Sequence, residues 1–379
     1  MKKITSKRRK RDAWIAYLHR TSNSRSHKRN RRRKIINDEF LKLNAWIQQK
    51  SQEGLNITVR GTRVMLTLPK KMNFSNHYEL TTLYLTAIRK LAEKKRKSKK
   101  VFKLAAVYFD DLEELSTSAA LVLTAEISKW DDSVRSKLAF DPNRWNSKIV
   151  RQLYDLGYFD LFKNNPFKGL GKDINYFYDV KLVPYIKGEC GDSSKARILK
   201  KGIREIVGED VNKWTFLHSG LTEAVTNVTH HAYPDEGKFS RRDKNWYLSG
   251  SFDEKQKVLK IVFYDQGIGI PKSLPASKVW EKALVFLSKI PIIDRKKDEV
   301  LLKAAVEMDR TSTGMNDRGK GLQDLLEFIK QRDNGYLSII SHKGLYKYSM
   351  KRGREKVKSV SFERSLLGTL IIWNVVLEK

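Results

Sequence analysis

Residues 258–271 read Val-Leu-Lys-Ile-Val-Phe-Tyr-Asp-Gln-Gly-Ile-Gly-Ile-Pro, an apolar run that ends on a carboxylate and breaks into a glycine-rich turn. Upstream, Trp246, Leu248, Gly250 and Phe252 alternate with their neighbours, and residues 253–256 form a polar turn. The pattern predicts a β-hairpin whose second strand is buried. Asp265 then stands at the mouth of that strand, where a carboxylate can accept a hydrogen bond from an adenine amino group. Gly267 and Gly269 let the backbone turn tightly and approach a base without a Cβ clash. Taken alone, the box reads first as an ordinary D-x-G-x-G turn.

Two further boxes flank this one. Residues 217–233, LHSGLTEAVTNVTHHAY, predict a helix on which Glu223 and Asn227, four apart, share a face while Leu221, Val225 and Val228 bury the other. A carboxylate beside a carboxamide oxygen suits activation of a water and ligation of Mg2+, a hard cation that prefers oxygen. Residues 311–322, TSTGMNDRGKGL, lead into a helix at 323–330. Glycines ahead of a helix N-terminus expose N–H groups to phosphate oxygens, and Arg318 and Lys320 add charge.

In this order the boxes resemble a GHKL (Bergerat) ATPase domain spanning 199–379, an α/β sandwich. The sequence supplies an Asn-bearing helix, a D-x-G-x-G-I-P loop, a lid, and a G-x-G-L loop with its helix. Predicted strands at 335–341 and 368–373 close the pattern. The resemblance implies ATP and Mg2+ as ligands. It makes Asn227 the metal ligand and Glu223 the base, while Asp265 and Thr369 read adenine over a loop of Gly267 and Gly269. Thr313, Arg318, Gly319, Lys320, Gly321 and Leu322 would meet the phosphates. The lid would be 272–318, with helices near 279–287 and 300–308. Only one G-x-G occurs in the third box, a departure from the family. The string N-V-T-H-H-A-Y-P-D is similar to the helix end of anti-sigma serine kinases. Neither His230 nor His231 has the setting of a phosphoacceptor, and adjacent helical positions predict that their rings point apart.

The N-terminal half predicts a hairpin at 56–68 turning at Arg60-Gly61-Thr62-Arg63, a helix at 78–91, a strand at 102–109 and helices from 119 and 147. This order, with its strand–acid–Ser/Thr–helix junction, resembles the STAS domain of anti-anti-sigma factors over roughly 50–165. The family's Asp before the phosphorylatable Ser is missing here. Ser116 or Thr117 is expected to cap the helix, with Gly157 stopping the later one. The resulting division is a mobile basic arm at 1–34, an STAS-like α/β domain at 35–165, a link at 166–198 and the ATP-binding domain at 199–379. In the arm, Trp14, Ile15, Tyr17 and Leu18 predict one short docking helix.

The charge is +33, from 76 Lys and Arg against 43 Asp and Glu. The arm holds 15 of these cations against Asp12 alone, and residues 94–100, 295–297 and 351–358 are further basic runs. Such a field attracts polyanions, so the arm is a candidate nucleic-acid contact; solvated tails and loops are the alternative reading. No run approaches the ~18 to 20 apolar residues of a membrane span. No secretory leader opens the chain, so no membrane role and a cytoplasmic location are expected. One cysteine, Cys190, leaves no intramolecular disulfide and no Cys-rich zinc site. Topoisomerase-type relatives with a transducer domain are not expected, since the chain stops after its last strand. Two function classes follow from the resemblance. One is a partner-regulated ATPase or Ser/Thr kinase of the anti-sigma type. The other is a nucleotide-controlled switch, as in phage defence, that binds nucleic acid or a protein with little turnover. GHKL domains often dimerise when ATP closes the lid, though no heptads mark a seam.

Overall fold

Neither glycine nor proline interrupts the sequence between Ser6 and Gln52. In the computed structural model this span is a single helix, α1 (Ser6–Gln52). The structure describes residues 6–93, 103–130, 132–135, 141–168, 179–192, 194–208, 214–234, 239, 243–277, 280–310 and 321–377. The arm expected to be mobile is therefore helical from Ser6 onward. Its Lys and Arg are good helix formers and nothing in it breaks the run. At 1.5 Å per residue α1 is roughly 70 Å long, yet among its residues with described side chains those buried are Leu43 and Ile47, near its C-terminal end. Trp14 and Tyr17 stack at 5.8 Å but stay 61% and 58% exposed, so the expected docking of this stretch is not seen. A helix without a packed face is marginal in water. Amides of residues 8–20 are therefore expected to exchange in the fastest class, against near-global protection in the buried helix described next. Comparable protection in the two would show that α1 is docked in solution.

The hairpin β1 (Ile57–Arg60) and β2 (Arg63–Thr67) turns at the expected residues. After β3 (Lys71–Met72), helix α2 (Tyr78–Glu93) crosses to β4 (Lys103–Tyr108), which pairs parallel with β2. β5 (Glu114–Leu115) precedes α3 (Thr117–Ser128), the most deeply buried helix of this half. Ser116 is its cap, accepting from the Ala119 N–H at 3.2 Å. Thr117 is buried with Oγ1 2.9 Å from Ser251 Oγ, so its hydroxyl is engaged in packing while that of Ser116 caps the helix. α4 (Asp132–Arg135) and α5 (Ser147–Leu156) follow, the latter ending on left-handed Gly157 as expected.

The stretch 166–198 is not a link throughout. It holds β6 (Val180–Glu189), an edge strand of a five-stranded sheet, and the start of α6 (Ala196–Val207). Next come α7 (Thr215–Asn227), β7 (Asn245–Asp253), β8 (Val258–Asp265) and α8 (Ile270–Ser273). α9 (Trp280–Ser288) and α10 (Asp298–Arg310) match the two helices expected in the lid segment. α11 (Gly321–Arg332), β9 (Asn334–Lys351) and β10 (Arg354–Val376) complete the order. The sheet runs β6-β7-β8-β10-β9, antiparallel throughout.

Both faces of this sheet are covered. Trp246, Leu248, Ile261, Phe263 and Trp373 pack with residues of α6, α7 and α11 such as Leu199, Leu221 and Leu325. Tyr247, Val262, Tyr264, Leu370 and Ile372 belong to one core with Leu121, Leu123 and Leu153 of the N-terminal half. The chain is thus mixed α/β, with an apolar core continuous across the expected domain boundary.

β9 and β10 are far longer than the predicted strands. At His342, φ is 52° and the register slips, and beyond it the two strands continue as a ribbon to a two-residue turn at Arg352-Gly353. Positive φ at both turn residues gives the twist that suits a hairpin. The ribbon folds back on its own base: the Arg352 and Gly353 N–H groups donate to the Asp333 backbone and side-chain oxygens at 3.1 and 2.7 Å. No described helix is long and apolar enough to cross a membrane.

Candidate functional site

Asp265 is the last residue of β8, flanked by Trp246 on β7 and Thr369 on β10. It is 4% exposed. Burial pushes its carboxyl up to about 7, against the opposing pull of the Gly267 N–H, the Thr369 hydroxyl and the Lys129 charge. The Gly267 N–H donates to Oδ1 at 2.8 Å. Behind Thr369 stands Ser341, fully buried, with Oγ 3.2 Å from Thr369 Oγ1 and accepting from the Ile270 N–H at 3.0 Å. Asp265 and Thr369, expected as partners, are therefore side by side.

The loop after Asp265 is built against the end of α7. There the helix widens into a π-turn, Val228–Ala232, a feature often found at functional sites. Ala232 O accepts the Ile268 N–H at 2.8 Å. A Cβ on Gly267 would lie 2.3 Å from that same carbonyl oxygen, so only glycine fits. Gly269 has φ +78°, and a Cβ there would meet Ser341 Oγ at 2.7 Å. Tyr233 Oη accepts the Gln266 N–H at 3.1 Å and donates to Asn245 O at 2.7 Å. The first two sequence boxes are thereby brought together. Glu223 and Asn227 are half-buried on α7, with Ala224, Val225 and Val228 in the core.

Thr313, Arg318, Gly319 and Lys320 lie outside the described residues. Gly321 and Leu322 open α11, with their side chains outside the description. In the π-turn the ring centroids of His230 and His231 stand 6.1 Å apart, the planes tilted by 55°. Among the described residues no group of three or more His, Cys, Asp or Glu is placed to hold a metal. A cleft of about 490 Å3 between α9 and α10, lined by Pro275, Trp280, Leu284, Leu287, Arg295 and Leu301, shares no residue with the three boxes.

Sequence reasoning missed a polar chain that enters the loop from the N-terminal half. Glu126 of α3, 2% exposed, pairs with Arg89 of α2 and accepts from Gln266 Nε2 at 2.8 Å. Such a buried pair holds only when its remaining hydrogen bonds are met. Gln266 Oε1 and Tyr264 Oη beside it are buried without a hydrogen-bond partner among the described residues. The signal was one acid in the largely apolar stretch 119–127, whose other polar residue is Thr124. Also missed was His342, whose Nε2–H donates to Ile268 O and whose Nδ1 stands 3.1 Å from Ser365 Oγ. No family model matches the chain, and no curated protein matches its sequence.

Proposed function

We propose that the chain is an ATP- and Mg2+-binding regulatory protein of the GHKL type, acting as an ATPase or an anti-sigma-type Ser/Thr kinase. The observation that carries the proposal is the pairing of buried Asp265 with Thr369 above a loop in which Gly267 and Gly269 have no room for a Cβ. That is an acceptor–hydroxyl pair suited to an adenine edge, at the end of the helix bearing Glu223 and Asn227. The donor set fits the group: oxygen ligands for a hard cation and a carboxylate acceptor for an exocyclic amine.

Bound Mg2+-ATP supplies the phosphoryl group to be transferred. The Asn227 carboxamide oxygen would hold the metal, and Asp265 would orient the base. The Glu223 carboxylate would take the proton of the attacking water or hydroxyl. The N-terminal half supports an STAS-like regulatory unit fused in cis, through its parallel β2–α2–β4 crossover and the helix capped by Ser116.

Calorimetry tests the reading. Wild type is expected to bind ATP far better with Mg2+ than with EDTA. Losing one oxygen ligand in Asn227→Ala should weaken Mg2+-ATP binding by about tenfold, with little change in EDTA. Equal Mg2+-ATP affinity in wild type and variant would remove Asn227 from the metal site.

A further inference from the structure

In an antiparallel ribbon, directly paired residues share a face. Beyond its root the outer β9–β10 ribbon has two sharply different ones. Lys347 pairs with Lys358, Ser349 with Lys356, and Lys351 with Arg354. Five of these six side chains are cationic and none is acidic. The opposite face holds Tyr346, Tyr348, Met350, Glu355, Val357 and Ser359. Tyr346 and Tyr348 are buried there, and Tyr346 Oη is 3.0 Å from Glu307 of α10. On its β9 side this face is a packing surface, while Glu355, Val357 and Ser359 of β10 stay exposed. The other is a solvent-facing row of charge, with Lys351, Arg354, Lys356 and Lys358 exposed.

Like charges directly across a ribbon destabilise it. Lys347 has its ammonium pushed down by burial and by Lys358 opposite. Across the ribbon no acid faces the row among the described residues. The row is also held in place. The ribbon tip is bonded to Asp333, and Lys347 Nζ stands 3.8 Å above the Tyr336 ring. At its root, Arg364 bonds Glu53 at the foot of α1 at 2.8 Å, and the Arg364 N–H donates to Glu79 at 3.0 Å.

We propose that this cationic ribbon face is a docking surface for the phosphate backbone of a nucleic-acid duplex. Arg354, Lys356 and Lys358 recur every second residue, about 6.8 Å apart. A duplex carries one negative charge per ~1.7 Å of its axis, a density that can meet every cation of the row. Beyond the root none of the paired residues of this face is aromatic, and the nearby Tyr336 ring is half-buried and already covered by the Lys347 ammonium, so the face can hold phosphates but offers little platform for stacking unpaired bases. The surface is distinct from the basic arm and does not rest on the nucleotide reading.

The test is fluorescence anisotropy of the full chain with a labelled DNA duplex of about 30 base pairs between about 50 and 200 mM salt. Lys351→Gln/Arg354→Gln/Lys356→Gln/Lys358→Gln is expected to bind more weakly. Its log–log salt slope should be about 3.6 smaller, at ~0.9 for each phosphate no longer neutralised. A matched variant that loses four cations from α6, Arg197→Gln/Lys200→Gln/Lys201→Gln/Arg204→Gln, should keep the wild-type slope. A wild-type slope in the ribbon variant overturns the proposal, as does an equal loss in both variants, which would mean a response to net charge alone. Thermal melts check folding. If the quadruple variant does not fold, Lys356→Gln/Lys358→Gln should still lower the slope by about 1.8. Duplex RNA and single-stranded DNA run alongside. Loss on either duplex supports the proposal and tells which source fits. Loss confined to single strands, or to anionic vesicles, overturns it.

Discussion

Asp265→Asn is expected to lower ATP affinity roughly tenfold to a hundredfold at pH 8, the loss of one charge-assisted hydrogen bond of about 1.5–3 kcal/mol. The pH dependence gives this result a second signature. The folded carboxyl keeps its proton up to about pH 7 because of its burial, whereas the unfolded chain releases it near pH 3.9. A donor on the ligand favours the ionised form, so ATP affinity should fall as pH drops through about 7, and the Asn variant should lose that dependence. Stability runs the other way. Between about pH 4 and 7 the folded state binds the extra proton, so the ligand-free protein loses stability as pH rises through that window. Asp265→Asn should flatten that curve too. Unchanged ATP affinity in a folded variant would return Asp265 to the role of a turn residue.

Glu223→Ala is expected to leave ATP binding in place while lowering turnover by about 10²- to 10⁴-fold, the usual contribution of a positioned base. With γ-labelled ATP, free phosphate identifies an ATPase and labelled protein a kinase. Bound but unchanged nucleotide in wild type identifies a switch. Full turnover in the variant would place the base elsewhere. Because α7 stays anchored by Leu221, Val225 and Val228, the substitution removes the carboxylate without removing its support.

The parts of the fold legible in the sequence are those in which one local signal dominates. The hairpin of β7 and β8 was readable from its alternation and its polar turn. Helix α3 was readable from its Ser116 cap, and α5 from Gly157. β6 was hidden because the Asn-, Gly-, Lys- and Tyr-rich stretch around it reads as a link, and it contains Pro184. In the structure that proline sits at the register shift between Val183 and Ile186 on an edge strand, where no ladder donor is missed. The outer ribbon was hidden because its alternation is cation against mixed residue, and its turn is Arg-Gly in place of the commoner Asn-Gly. For the site, Asp265, Thr369, Gly267 and Gly269 could be named because each acts through its immediate backbone. Arg89, Glu126 and His342 could not, since their roles exist only once distant segments meet.

The buried ion pair that reaches Gln266 and the apolar core around it bear on how this chain can be divided. Severed near residue 170, the C-terminal half would present Tyr247, Val262, Tyr264, Leu370 and Ile372 to water as one apolar sheet face. It would also lose the carboxylate that holds Gln266 beside Asp265. The two halves are therefore not interchangeable modules. A swap of one for a homologous piece succeeds only if residues 89, 126 and 266 travel as a set, so lineages recombining at this junction must inherit them together.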